Sequence, residues 1–296
     1  MDRLAAMKAF VAVADAQGFA PAASKLALSP SVVTRLVAAL EHRLGIRLLQ
    51  RTTRSVTLTD AGARYLMRAR RILADVEEAD ESALAERGLP TGRLVVTAPM
   101  MFGRLHVSPL MCRYLAAHPH VIGELSLSDR NANLVEDGID VAVRIGQLHD
   151  SSLVARKAGS TRRVAVASPQ YLARHGIPVT PAELASHRTI QFTALAPFTD
   201  WSFARDGQGI RVAVSSQYAT NSADAALWHA ERDGGLTLAL SYQVAEAVQQ
   251  GRLQIVLGDF EPEAMPIHFV YPTSRLLSAR VRSFIDLAAE TCDWNF

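Results

Sequence analysis

Cysteine is nearly absent from this chain. Its 296 residues include only Cys112 and Cys292, far apart and outside any CxxC pair. That excludes a disulfide-stapled scaffold. Long hydrophobic runs are missing as well: no stretch approaches 18 apolar residues without a charge, so no membrane span is expected. The segment MDRLAAMKAFVAVADAQGFA is broken by Asp2, Arg3, Lys8 and Asp15. It lacks a signal peptide's apolar stretch, and a cytoplasmic location is expected. Catalytic signatures are missing too. There is no HExxH and no GxxxxGK, Gly207 and Gly209 lack a strand–helix context, and His118 and His120 flank a proline in a loop. No enzyme is expected, nor a metal or a cofactor. Net charge is only +2, from 31 Lys+Arg against 29 Asp+Glu. At first sight that disfavours nucleic acid. What is present is 49% hydrophobic and 20% charged residues, an ordinary globular composition. The length suggests about two domains, and such a chain buries roughly 75% of its unfolded surface without needing a staple.

The total charge hides a gradient. Residues 1–71 carry twelve basic and four acidic side chains, a net +8, so the remainder sums to −6. Asp75, Glu77, Glu78, Asp80, Glu81 and Glu86 follow with no base among them. A basic head followed by an acidic stretch points to a nucleic-acid-binding module joined to something else.

The apolar periodicity of the head predicts a helix over Leu4–Gln17 with Leu4, Met7, Phe10, Val11 and Ala14 on one face and Gly18 as its stop. A short helix over Pro21–Leu26 follows, with Pro21 at its first position. A turn then leads into a helix over Ser31–Leu44, with a stripe of Val32, Leu36, Leu40 and Leu44, ended by Gly45. An extended segment begins at Leu48, and Val56–Thr59 reads as a strand. Helix, short helix, turn, helix and β-like wing is the winged helix-turn-helix order. The third helix offers Ser31, Thr34, Arg35 and Ala38 opposite its stripe. Hydroxyls and an arginine there suit base edges, while Arg51, Thr52, Thr53 and Arg54 of the wing suit phosphates or the minor groove. A longer helix is expected from Asp60 to Arg87, about 40 Å at 1.5 Å per residue. Tyr65, Ala69, Ile72, Val76, Ala79 and Ala83 recur on it at heptad steps, the seam of a dimerising helix. Gly88-Leu89-Pro90-Thr91-Gly92 marks a hinge.

From Arg93 onward, strands alternate with helices over about 200 residues, the pattern of α/β domains with mainly parallel sheets. A short helix is expected at Ala132–Asp137, further helices at Pro169–Arg174 and Pro181–His187, and a final one at Ala279–Thr291.

The chain resembles the LysR-type transcriptional regulators, and within them the CrgA-like branch. The head carries the resemblance in FVAVADAQGFAPAASKLALSPSVVTRLVAALEHRLGIRLLQRTTRSVTLTDAGARYL. The second domain adds LVEDGIDVAVRIG, DSSLVARKAG, ASPQYLARHGIP and LSYQVAEAVQQGRL. The resemblance implies a winged helix-turn-helix head (1–59), a dimerising linker helix and hinge (60–92), and an effector domain (93–296) like a periplasmic binding protein. Lobe I is expected over 93–161 and 268–296, and lobe II over 162–267. It also implies a homodimer or homotetramer on a partly palindromic stretch of double-stranded DNA, contact with RNA polymerase, and a small-molecule effector of unknown identity. Pro30, Ser31, Thr34 and Arg35 match positions that face the major groove, and Arg51, Thr52 and Arg54 lie in the wing. Leu36 stands where the family often has Gln. The effector site is expected at Met100, Met101, Phe102, Arg144, Ile145, Gly146, Trp201, Phe203, Thr220 and Asn221. Methionines at 100 and 101, where several relatives have Ser or Thr, suggest either a larger or more apolar ligand or simple packing in the core. Glu231-Arg232-Asp233 is a further departure, expected to alter a turn facing the cleft.

Overall fold

The computed structural model describes residues 2–51, 56–85, 90–130, 133–134, 137–148, 153–195, 200–273 and 278–296. The head is built on α1 (Arg3–Ala16), α2 (Phe19–Lys25) and α3 (Pro30–Leu44). Asp2 caps α1, its carboxylate accepting the Leu4 N–H at 2.9 Å. Ala6, Met7, Ala9, Phe10, Ala12 and Val13 are buried on it, a wider face than the expected stripe. Gln17, not Gly18, takes the left-handed turn that ends α1 (φ 50°), and Gly18 is extended and precedes α2. Pro21 sits in the third position of α2 rather than the first. Ser29 caps α3 with Pro30 in its first turn, and Gly45 at φ 67° closes it as expected.

The wing is a hairpin of β1 (Leu49–Arg51) and β2 (Val56–Leu58), pairing Leu49 with Leu58. Glu41 on α3 fastens it by accepting the N–H groups of Leu48 (2.8 Å) and Leu49 (3.0 Å). The long helix α4 (Asp60–Ala85) begins where Thr59 accepts the Gly62 N–H at 2.9 Å. A Cβ on Gly62 would stand 1.9 Å from the Leu48 carbonyl, so only glycine lets α4 pass this close to the wing.

In the larger domain, β3 (Gly92–Ala98) runs into the short α5 (Met100–Phe102). A π-helical turn, Gly103–Val107, joins this to α6 (Ser108–Ala117). β4 (Val121–Leu127), β5 (Val141–Ile145) and β6 (Leu153–Thr161) follow, and the chain crosses to the second lobe at Arg162. That lobe contains β7 (Arg163–Ala167), α7 (Pro169–His175), β8 (Thr189–Phe192), the hairpin β9 (Asp200–Arg205) and β10 (Gln208–Ala213), and β11 (Ser216–Thr220). It continues with α8 (Ala223–Ala230), β12 (Leu236–Leu240), α9 (Ser241–Gln249) and β13 (Gln254–Val256). The chain returns on β14 (Met265–Pro272) and ends with α10 (Ala279–Thr291) and β15 (Trp294–Asn295).

Lobe I is a six-stranded sheet of order β15-β6-β14-β5-β3-β4, and lobe II a five-stranded sheet of order β11-β8-β12-β7-β13. Both sheets are mixed, not mainly parallel. β3 is parallel to β4 and β5, and β8 to β11 and β12. β14 is antiparallel to β5 and β6, and β7 to β12 and β13. In each lobe, then, the strand that enters from the other lobe, β14 or β7, runs against its neighbours. Met265 pairs with Thr161, and Ile267 with Ile145, so the returning strand joins the lobe I sheet from Met265.

Pro181–Ser186 is a 3-10 turn, and the described residues of the helix expected at Ala132–Asp137 close one turn, Asp137 N to Asn133 O at 2.9 Å. β11 and β15 carry no apolar alternation to announce them. Among the described residues, no single helix is long and apolar enough to cross a membrane.

Candidate functional site

Two surfaces stand out. The first is the outer face of α3. Val33, Val37 and Leu40 are buried on the opposite, inner face, packed in the same core as Phe10 and Val13 of α1. The expected stripe began one residue earlier. The pairs Val32-Val33 and Leu36-Val37 are apolar at both positions, so periodicity alone leaves the helix's rotation open by one residue. The observed rotation leaves Pro30, Ser31, Arg35 and Ala38 exposed and Thr34 half-buried. Leu36 is half-buried among the head's apolar side chains rather than on the open face. Arg51 closes β1; its side chain, Thr52, Thr53 and Arg54 lie outside the described residues. On α4, Tyr65 meets the Phe10 ring edge-on at 5.7 Å and Ala69 is fully buried. These two heptad positions are occupied by the chain's own fold, while Ile72 and Met67 face outward at 40% and 45% exposure. The side chains of Ala79 and Ala83 lie outside the described residues.

The second surface is the cleft between the lobes. Its main cavity, about 380 Å³, is lined by Thr97, Ser128, Asp129, Arg130, Arg144 and Tyr242 among polar groups, and by Ile145, Phe192, Leu195 and Met265 among apolar ones. A second cavity of about 300 Å³ is lined by Met100, Met101, Asn221, Ser222 and Asp224. Ser128, Asp129, Arg130 and Gln243 line both. These volumes fall near the lower end of the range for small-molecule sites, about 300–1,000 Å³.

Of the residues expected at this site, Met100, Met101, Arg144, Ile145 and Asn221 are brought together there. Gly146, at φ 109°, is buried next to Ile145 and donates its N–H to Pro266 O at 2.8 Å. Thr220 lines neither cavity, and its hydroxyl accepts the Ser222 N–H at 3.1 Å. Three aromatic expectations are corrected. Phe102 is fully buried in lobe I, edge-on to Tyr242 at 5.1 Å and Trp294 at 4.9 Å. Trp201 and Phe203 are buried in the lobe II core with Tyr171 and Phe260. The β9–β10 hairpin turns that aromatic face inward, and the Trp201 indole N–H is bound by Gln191 at 3.3 Å. The Glu231–Asp233 turn does not face the cleft either. Asp233, at φ 62°, accepts the Ser168 hydroxyl at 2.6 Å, and Glu231 pairs with Arg252 at 3.4 Å around a separate hollow.

The residues missed were Thr97, Ser128, Asp129, Arg130, Tyr242 and Gln243. A usable signal existed: they cluster at the ends of β3, β4 and β12, where open α/β sheets place ligands. Tyr242 is buried, and burial holds its phenol well above the usual tyrosine range, so it stays neutral. Gln243 donates to that phenol at 3.3 Å and accepts the Leu240 N–H at 2.8 Å. Across the mouth of the cleft, Arg104 of lobe I pairs with Asp224 of lobe II at 3.2 Å. Beneath it, the Ser241 hydroxyl gathers the crossing strands, near Thr161 Oγ1 at 3.0 Å and accepting the Arg162 N–H at 3.0 Å. No cluster of potential metal ligands occurs among the described residues.

A winged helix-turn-helix head followed by a two-lobed domain with a cleft defines a ligand-responsive transcriptional regulator. The comparisons supply the family. Residues 4–63 match the model of the bacterial regulatory helix-turn-helix protein, lysR family, and residues 87–293 match the LysR substrate binding domain. The HTH-type transcriptional regulator CrgA of Neisseria meningitidis serogroup B is 33% identical, over 95% of this chain and 94% of that protein. PtxR of Pseudomonas aeruginosa, also an HTH-type transcriptional regulator, is 36% identical over 95% and 90%. The solved structure of CrgA superposes with a TM-score of 0.63, covering 97% of each chain. A full-length AphB variant gives 0.69 at 26% identity, over 97% and 98%. The chain belongs to the LysR family of transcriptional regulators. It is a DNA-binding regulator with an effector-sensing domain and not an enzyme.

Proposed function

We propose that this regulator binds promoter DNA through Pro30, Ser31, Thr34 and Arg35 of α3 and through Arg51, Thr52 and Arg54 of the wing. In this reading the chain divides into the head (1–59), the linker helix and hinge (60–92) and the effector domain (93–296). Two copies pair through α4, with Ile72 and Val76 as the seam left open by the head, and pairs assemble into tetramers on a partly palindromic site. The protein acts in the cytoplasm and contacts RNA polymerase there. A small-molecule effector occupies the cleft against Arg144, Ile145, Met100, Met101 and Asn221, together with Tyr242, Ser128 and Arg130. Closing or opening of the lobes about Ser241 and the Arg104–Asp224 pair alters the spacing of the heads. No cofactor is required.

The observation that carries this reading is Arg35, exposed and unpaired among the described residues, on a helix whose rotation the head core locks. The test is a gel-shift titration on the DNA beside the protein's own gene, with increasing salt. Specific retention that weakens steeply with salt supports it. Absence of any selective shift at low salt overturns it.

A further inference from the structure

The hydroxyls on the reading face of α3 are mostly committed within the chain. The Thr34 hydroxyl donates to the Pro30 carbonyl at 2.8 Å, one turn back along the helix. A threonine hydroxyl has a single proton, so this bond leaves Thr34 no donor for a base edge. With the oxygen engaged by the backbone, the group left uncommitted on this half-buried side chain is its γ-methyl. Ser29 and Ser31 share a bond of 3.0 Å, and Ser29 also accepts the Val32 N–H at 3.4 Å. Ala38, four residues beyond Thr34 on the same side of the helix, is exposed and presents another methyl. Arg35 is exposed and, among the described residues, has no carboxylate partner, so it retains its donors.

The major groove distinguishes bases by such groups. Thymine alone carries a C5 methyl, and guanine O6 and N7 match an arginine fork. We propose that Thr34 reads thymine through its methyl, not its hydroxyl, with Ala38 extending the apolar contact and Arg35 setting an adjacent guanine. The inference rests on the DNA-binding reading above and deepens it by naming the base chemistry.

The test uses the full chain. Sites are first selected from a random double-stranded library, and affinity is then measured with each selected thymine replaced in turn by 2′-deoxyuridine, which removes the methyl alone. At one position the replacement should weaken binding roughly four-fold, the value of one methyl-sized group taken from water. Thr34→Ser keeps the hydroxyl and should abolish that thymine/uracil ratio. Thr34→Val keeps the methyls and should preserve the ratio, whatever its absolute affinity. A circular-dichroism melt of each variant checks that the head is folded. If no library site is enriched, the DNA-binding reading fails and this inference with it. If a site is enriched but deoxyuridine costs nothing, or if Thr34→Ser still discriminates, only the inference is overturned.

Discussion

In the two-lobed domain, many arginines are answered by carboxylates of the same chain. Arg93 meets Glu124, Arg104 meets Asp224, Arg156 meets Asp286, Arg162 meets Glu261, and buried Arg280 meets Asp140. In the head, Arg70 pairs with Asp15, while Lys8, Lys25, Arg35, Arg43 and Arg47 are exposed and have no carboxylate partner among the described residues. One region spends many of its cations on its own architecture. The other keeps them for a polyanion. The near-zero net charge of the chain is the sum of these two habits, which is why it misleads as a guide to partners.

That contrast can be broken at several levels. Truncating the core of the sensor should have the largest effect. Phe102→Ala removes a fully buried ring that Tyr242 and Trp294 pack against, and should cost about 3–5 kcal/mol in the sensor's unfolding transition. Calorimetry of the full chain reads this directly. If Phe102 lined the cleft instead, the loss would fall on ligand binding and spare stability. Next comes Arg35→Ala, which should cost about 1–3 kcal/mol on a selected site and relax preference at one base pair, with sensor stability unchanged. Equal weakening on every sequence would assign Arg35 to phosphate instead. Arg104→Gln should do less: both partners of its bridge are more than half exposed, so stability should change by no more than about 1 kcal/mol. Its signature is a changed effector response in DNA binding, and an unchanged response would remove the bridge from the switch.

The smallest effect is a pH dependence. Burial holds His106, His187 and His268 below the usual histidine range, so the fold keeps them neutral. Unfolded histidine titrates near 6.5. Above that pH these groups cost the fold nothing. As pH falls through it, the unfolded state takes up protons first and stability is lost. A series of melts from neutral to mildly acidic pH should therefore show the sensor transition falling, and His106→Phe should flatten the slope. None of the three histidines lies in the head.

The head was the more legible region in the sequence, because its helices are short-range patterns with clear ends. Even there, paired apolar residues at 32–33 and 36–37 left the rotation of α3 one residue uncertain. Sheet topology was less legible: β14 runs antiparallel because of where it returns from, and no local pattern records that. At the cleft, Trp201 and Phe203 misled because an aromatic pair in a strand reads the same whether it faces a ligand or a core. Tyr242 and Gln243 were missed because they follow a strand end, a position marked by topology and not by composition.

The most direct test of the contrast is the salt dependence of DNA binding by the intact protein, measured by fluorescence anisotropy on a selected duplex. A head with uncommitted cations should release counterions, giving a log–log slope steeper than about −3, or roughly three or more phosphates neutralised. A slope near zero would contradict the account.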